Sequence, residues 1–174
     1  RELVEVSPYI AGRVPQARNI PPAPRAAPRA AQPASSGIRG VQFAPAEATS
    51  GPAQFALQFV GARYVWGGAS PDRGFDCSGF TRYVYAQFGL NLPHNAAAQY
   101  NTSYGVAISN PADLQPGDLV FFVNTYRRGI SHVGIYIGGG NVVQALSPGR
   151  GVGIANIGCG YWAAHYYGAI RPGR

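Results

Sequence analysis

The chain has 174 residues, enough for one domain with a substantial core plus extra segments, and no apolar run long enough to span a membrane. Its net charge of +7 comes entirely from arginine. Six of the fourteen arginines lie in the first forty residues, and no basic stripe with interleaved aromatics appears, so nucleic acid is not the expected partner. Methionine is absent even at position 1, and a processed chain whose secretion signal was removed upstream is expected.

Residues 1–8 alternate like a short strand, and residues 9–40 are rich in Pro, Ala and Arg, with prolines that block helix and sheet alike. Residues 1–40 therefore read as an extended linker, or as a strap over the folded domain, or as a basic arm docking on an anionic wall polymer. The folded domain is expected at 41–174. Gly51-Pro52 opens a helix carrying Phe55, Leu57 and Val60 that ends at Gly61. Arg63 to Gly68 is a short extended piece closing in a glycine turn.

The period then changes. Phe80, Val84 and Phe88 recur every fourth residue, with Tyr83 one step round the same face, which predicts a buried helix starting near Cys77. Asp76 is its N-cap and Gly89 its stop. Cys77 thus falls on the first turn, where unpaired N–H groups and the helix dipole favour an anion and lower a thiol pKa, so it reads as a nucleophile. Leu92-Pro93-His94 breaks from this helix, and Asn95 to Tyr100 form a short third one.

The remainder is β-like. Leu119–Val123 is a continuous apolar run expected of a central strand, and residues 124–131 are a polar loop. Val133, Ile135 and Ile137 alternate with His132, Gly134 and Tyr136 as a half-buried strand. Gly138-Gly139-Gly140 turns into Asn141–Ala145, and further strands are expected around 152–154 and 166–170. Helices first and an antiparallel sheet afterwards predict an α+β domain.

A cysteine nucleophile needs a base and a group that orients it. Of three histidines, His165 reads as packing or surface, and nothing local fixes His94. His132 points away from the apolar face of its strand and is the best base. A three-residue loop at Gly138–Gly140 places Gly134 opposite Gln144, whose side chain then lies diagonally from His132, roughly 7 Å away between backbones. A two-residue loop would put Gln144 on the wrong face. Cys159 reads as structural, although a Cys77–Cys159 disulfide would remove the nucleophile. No spacing suggests a metal site, and no cofactor is called for.

Five motifs follow in order: Tyr64-Val65-Trp66-Gly67-Gly68; Phe75-Asp76-Cys77-Ser78-Gly79-Phe80; Leu92-Pro93-His94 with Gln99; Leu114-Gln115-Pro116-Gly117-Asp118-Leu119; and Ser131-His132-Val133-Gly134-Ile135-Tyr136-Ile137-Gly138. Together, over roughly residues 50–170, they resemble the NlpC-type bacterial cell-wall cysteine peptidases, a papain-like family. The resemblance implies hydrolysis of peptidoglycan stem peptides, commonly at the D-γ-glutamyl–diamino acid bond, by a secreted or wall-associated bacterial enzyme expected to be monomeric. Cys77 matches the nucleophile, His132 the base, and Gln144 a polar third residue that is most often histidine. Tyr64 matches a tyrosine near the nucleophile, a candidate for the oxyanion or for substrate. Asp76 and Ser78 match positions that help bind the free amine of the stem peptide. His94 stands where arginine, serine or histidine occurs. A non-catalytic peptidoglycan-binding domain and a cell-wall amidase of related fold are the alternatives.

Overall fold

A computed structural model describes residues 51–173. The expectations for residues 1–40, and for a domain start at Val41, lie outside the described residues. The order of elements is α1 (Pro52–Leu57), β1 (Ala69–Ser70), β2 (Gly74–Phe75), α2 (Cys77–Ala86), α3 (Ala96–Gln99), β3 (Gly105–Ile108), β4 (Leu119–Val123), β5 (Ile130–Gly138), β6 (Asn141–Ser147), β7 (Gly151–Asn156), α4 (Gly160–His165) and β8 (Tyr166–Pro172). Strands β3-β8-β4-β5-β6-β7 form one antiparallel sheet, with β1 and β2 a separate small hairpin. The fold is α+β and papain-like, with α1, α2 and α3 ahead of the main sheet in the chain and α4 between β7 and β8.

Helix α2 packs on one face of the sheet. Its Phe80 and Val84 are fully buried with Phe75, Leu119, Phe121, Val133, Ile135 and Val143. Burial of each such side chain contributes on the order of 2 kcal/mol before conformational entropy is subtracted. Phe88 departs from the expected stripe. The helix ends at Ala86, so Phe88 has left the helical period and is 44% exposed, its ring edge-on to Phe55. Tyr85 is buried instead, its hydroxyl donating to the Gly117 carbonyl.

The first helix is also shorter than its apolar pattern suggests. It ends at Leu57, and a tail of i→i−3 bonds leads to Gly61 at φ +92°. Ala53 and Ala56 are its buried face, while Val60 is exposed. Strand β4 is central, flanked by β5 and β8. Strand β5 is not half-buried: Ser131 through Tyr136 are all covered, because α2 lies on one face and Trp162 of α4 with Tyr166 on the other. Neither α4 nor the edge strand β3 was anticipated.

An ion pair between half-exposed Arg171 and buried Asp118 ties the last strand to the centre. Arg171 donates to both oxygens of Asp118, at 2.9 Å from Nε and from Nη2. Asp118 also accepts from the Gln115 backbone N–H, which fixes the turn before β4.

Candidate active site

Asp76 is the hub. Its Oδ1 accepts from the Gly79 N–H at 2.7 Å, capping α2 as its position predicts, and from the Ser78 hydroxyl at 3.2 Å. Its Oδ2 accepts from the Gly67 N–H at 2.9 Å, which pins the Trp66-Gly67-Gly68 turn beside the helix start. His94 Nε2 lies 2.9 Å from both carboxylate oxygens. The orientation of His94, which nothing in its neighbourhood along the chain fixes, is set by this pair. Glycine at position 79 is required here. A Cβ would stand 2.0 Å from the Gly68 carbonyl oxygen and 2.9 Å from His94 Nε2.

Gln99 braces the same turn from α3. Fully buried, it accepts from the Thr81 hydroxyl and donates to the carbonyls of Ser78 and Pro93. Tyr64 forms a parallel bridge to Phe75 through its backbone. Its phenol is pushed up to about 12, first by burial, then by the neighbouring Cys77 and Asp76, so it remains a proton donor at neutral pH.

Cys77 lies at the floor of a cleft of about 260 Å³ with Tyr64, Asp76, Ser78 and His94 among its walls. It is a free thiol, as is Cys159, so no disulfide joins them. Cys159 is exposed at the start of α4 rather than buried in the core, contrary to its reading as a structural residue. The expected depression of the Cys77 pKa is also reversed. Burial, and then the Asp76 carboxylate, push the thiol up to about 11, outweighing the backbone N–H groups of Val133, Ser78 and Cys77 that act downward. The helix start that favours an anion is already capped by one.

The Cys77 sulfur lies 4.0 Å from the Ser131 carbonyl, against the backbone on either side of His132. His132 is 4% exposed, and its Nε2–H donates to Gln144 Oε1 at 2.8 Å. No hydrogen bond joins the Cys77 sulfur to the imidazole in this state. The ring packs on Trp162 and Phe122, at centroid distances of 5.0 and 5.9 Å. Burial lowers the His132 pKa from 6.5 to about 4, with Gln144 and Asp76 opposing. Both shifts favour the neutral thiol and the neutral imidazole in the resting pair.

This shift makes stability depend on pH. Above pH 6.5 His132 is neutral folded or unfolded and contributes nothing. As pH falls from 6.5 to about 4 the unfolded chain binds a proton that the folded chain refuses, so about 3 kcal/mol of stability is lost across that window. Denaturant unfolding at pH 7 and 4.5 should show a steeper loss in the native chain than in His132→Gln; equal slopes would contradict it.

Gln144 does lie across from Gly134, by a different route from the one expected. The loop is the two-residue turn Gly139-Gly140, closed by the Gly138–Asn141 pair, and both turn residues have positive φ. A register shift between Tyr136 and Gly138 then restores the parity that such a loop would otherwise break, so Ile135 pairs with Val143. Gly134 leaves the gap that Gln144 occupies. A Cβ there would lie 2.4 Å from Val142 Cγ1 and 2.9 Å from Gln144 Cβ. Gly134→Ala should therefore cost about 1–3 kcal/mol and disturb the His132–Gln144 bond; an unchanged melting temperature would argue against this packing.

The structure thus gathers Tyr64, Asp76, Cys77, Ser78 and His94 around one cleft, and pairs His132 with Gln144 beside it. Trp66, Tyr126 and Arg127 also line the cleft; Tyr126 and Arg127 were not anticipated, because residues 124–131 carry only the composition of a polar loop. Trp162 over His132 was likewise missed, since residues 160–165 show no helical period.

Residues 61–171 match the model of the NlpC/P60 family. The chain belongs to that family. It is 41% identical over 136 residues to a gamma-DL-glutamyl hydrolase of Bacillus subtilis, covering 78% of this chain and 32% of the relative. It is 47% identical over 116 residues to a probable endopeptidase p60 of Listeria grayi, covering 67% of this chain and 21% of that protein. The chain thus spans less than a third of the length of either relative. Among solved structures, an NlpC/P60 family protein of Bacillus cereus superposes with a TM-score of 0.62 at 34% identity, over 70% of this chain and 39% of that one.

Proposed function

We propose that this NlpC/P60 domain is a cysteine endopeptidase of the peptidoglycan stem peptide, cutting the bond between the D-γ-glutamyl residue and the diamino acid. The observation that carries the reading is the placement of Cys77. Its thiol stands at the cleft floor on the first turn of α2, against the backbone flanking a histidine that is already oriented by Gln144. The relatives named as a glutamyl hydrolase and an endopeptidase support the substrate class.

In this reading His132 takes the thiol proton as Cys77 attacks the scissile carbonyl. The Cys77 N–H and the Tyr64 hydroxyl stabilise the oxyanion. His132 then protonates the leaving amine, and water hydrolyses the thioester with His132 as base. Asp76, Ser78 and His94 receive the free amine of the stem peptide. An ammonium seated on Asp76 also offsets the carboxylate charge that, after burial, pushes the thiol pKa up, which favours the thiolate as substrate arrives. No step calls for a metal or organic cofactor.

The domain acts outside the cell, at or near the wall, and no helix among the described residues is long and apolar enough to cross a membrane. Residues 1–40 link, strap or dock it on anionic polymer. Incubation with defined stem peptides and mass analysis of products tests the proposal. The expected products end at the D-glutamyl residue on one side and begin at the diamino acid on the other. Retention of the peptides with no product would favour a binding module, and release of the stem from its sugar would favour an amidase.

A further inference from the structure

The cleft has a second rim that the mechanism above does not use. It is carried by residues 124–129, a loop closed at its base. The Asn124 N–H donates to the Gly129 carbonyl at 2.9 Å, and Asn124 Oδ1 accepts from the Gly129 N–H at 2.9 Å. Thr125 is fixed by the buried Ser131 hydroxyl, to which its N–H donates at 3.0 Å. The Tyr161 hydroxyl donates to the Thr125 carbonyl at 3.4 Å, tying the loop to α4. The loop is held, and its tip is aimed.

At the tip Trp66, 69% exposed, meets Tyr126 edge-on at 5.2 Å, and the Arg127 guanidinium lies 5.9 Å from the Tyr126 ring centre. Arg127 lines the cleft; Arg128 beside it does not. Among the described residues Arg127 has no carboxylate partner. The cleft lining therefore carries both the Asp76 carboxylate and, beside Tyr126, a guanidinium with no carboxylate partner among the described residues. A ligand that satisfies both carries an amine and a carboxylate.

We propose that Arg127 is a specificity residue that pairs with a free carboxylate of the bound stem peptide, either the α-carboxylate of the γ-linked D-glutamyl residue or the side-chain carboxylate of a diaminopimelyl residue. The inference rests on the stem-peptide reading above. The chain prefers substrates that keep this carboxylate over those in which it is amidated or missing. A planar guanidinium suits that role because it grips a carboxylate through two parallel N–H bonds.

The test uses three peptides: one with D-glutamate and diaminopimelate, one with the D-glutamyl carboxylate amidated, and one with lysine replacing diaminopimelate. Arg127→Gln should raise KM for the first about tenfold, the size expected of one charge-assisted contact in an open cleft, with kcat within about twofold. On the peptide lacking the recognised carboxylate the same substitution should change KM by less than about twofold, and that peptide identifies the group. Arg128→Gln, with the same charge change outside the cleft, should leave all three values unaltered. Affinities of the three peptides for Cys77→Ala, with and without Arg127→Gln, give the same comparison without turnover. Peptides that bind and are never cleaved would count against the endopeptidase reading alone. An equal effect of Arg127→Gln on all three peptides, or none on any, would overturn the proposal.

Discussion

Replacing Cys77 with alanine is expected to lower turnover of stem peptides by at least about three orders of magnitude while leaving their affinity within a few-fold. The first half follows from chemistry. Without sulfur no thioester forms, and the rest of the site retains only positioning and oxyanion donors, which elsewhere account for a small residue of the full rate. The second half follows from the structure. Asp76, Tyr64, Ser78 and His94 are held by hydrogen bonds and packing that do not pass through the thiol. Cys77 is almost fully buried and the change removes one atom, so stability should fall by no more than about 1 kcal/mol. Steady-state kinetics with calorimetric binding checks both halves. Residual turnover near the native rate would remove Cys77 from the mechanism.

The second large effect is expected from Gln144→Leu, a fall in kcat of about 10–100-fold with KM nearly unchanged. Gln144 touches no cleft surface, and its one hydrogen bond fixes which imidazole nitrogen carries the proton. Losing the acceptor leaves the buried His132 Nε2–H unpaired and frees the ring to adopt the other tautomer. Stability should hardly change. The Gln144 Nε2 is itself buried without a partner, so leucine removes one unsatisfied donor while creating another. A purely structural glutamine would show the reverse pattern, with stability lost and kcat kept. Gln144→Glu separates the roles further. It keeps the acceptor and adds a negative charge, which raises the His132 pKa from about 4 and moves the acid limb of the kcat profile to higher pH.

Much of this site could be read along the chain because its determinants are local. The apolar spacing of Phe80 and Val84, with Asp76 ahead of Cys77, specifies both the helix and its start. Gly134 announces a gap because a missing side chain in an alternating strand leaves space for something. The register that fills that gap was right in outcome and wrong in cause, because a bulge depends on how two strands twist together and not on loop length alone.

The thiol pKa could not be weighed in advance. It balances the helix start against burial depth and the charge of Asp76, and only the fold says how dry the site is. Arg127 was illegible for a related reason. Nothing in Asn124-Thr125-Tyr126-Arg127 shows that a loop between two strands, forty residues beyond the nucleophile helix, folds back over the cleft.

The central claim is that Cys77 forms a covalent acyl intermediate with the γ-glutamyl carbonyl. Rapid acid quenching during turnover of an L-Ala-γ-D-Glu-diaminopimelate peptide, followed by intact-mass measurement and peptide mapping, tests it most directly. An adduct with the mass of the L-Ala-γ-D-Glu acyl group is expected on the peptide containing Cys77, absent from Cys77→Ala. Full product formation with no adduct at Cys77, or an adduct on another residue, would contradict it.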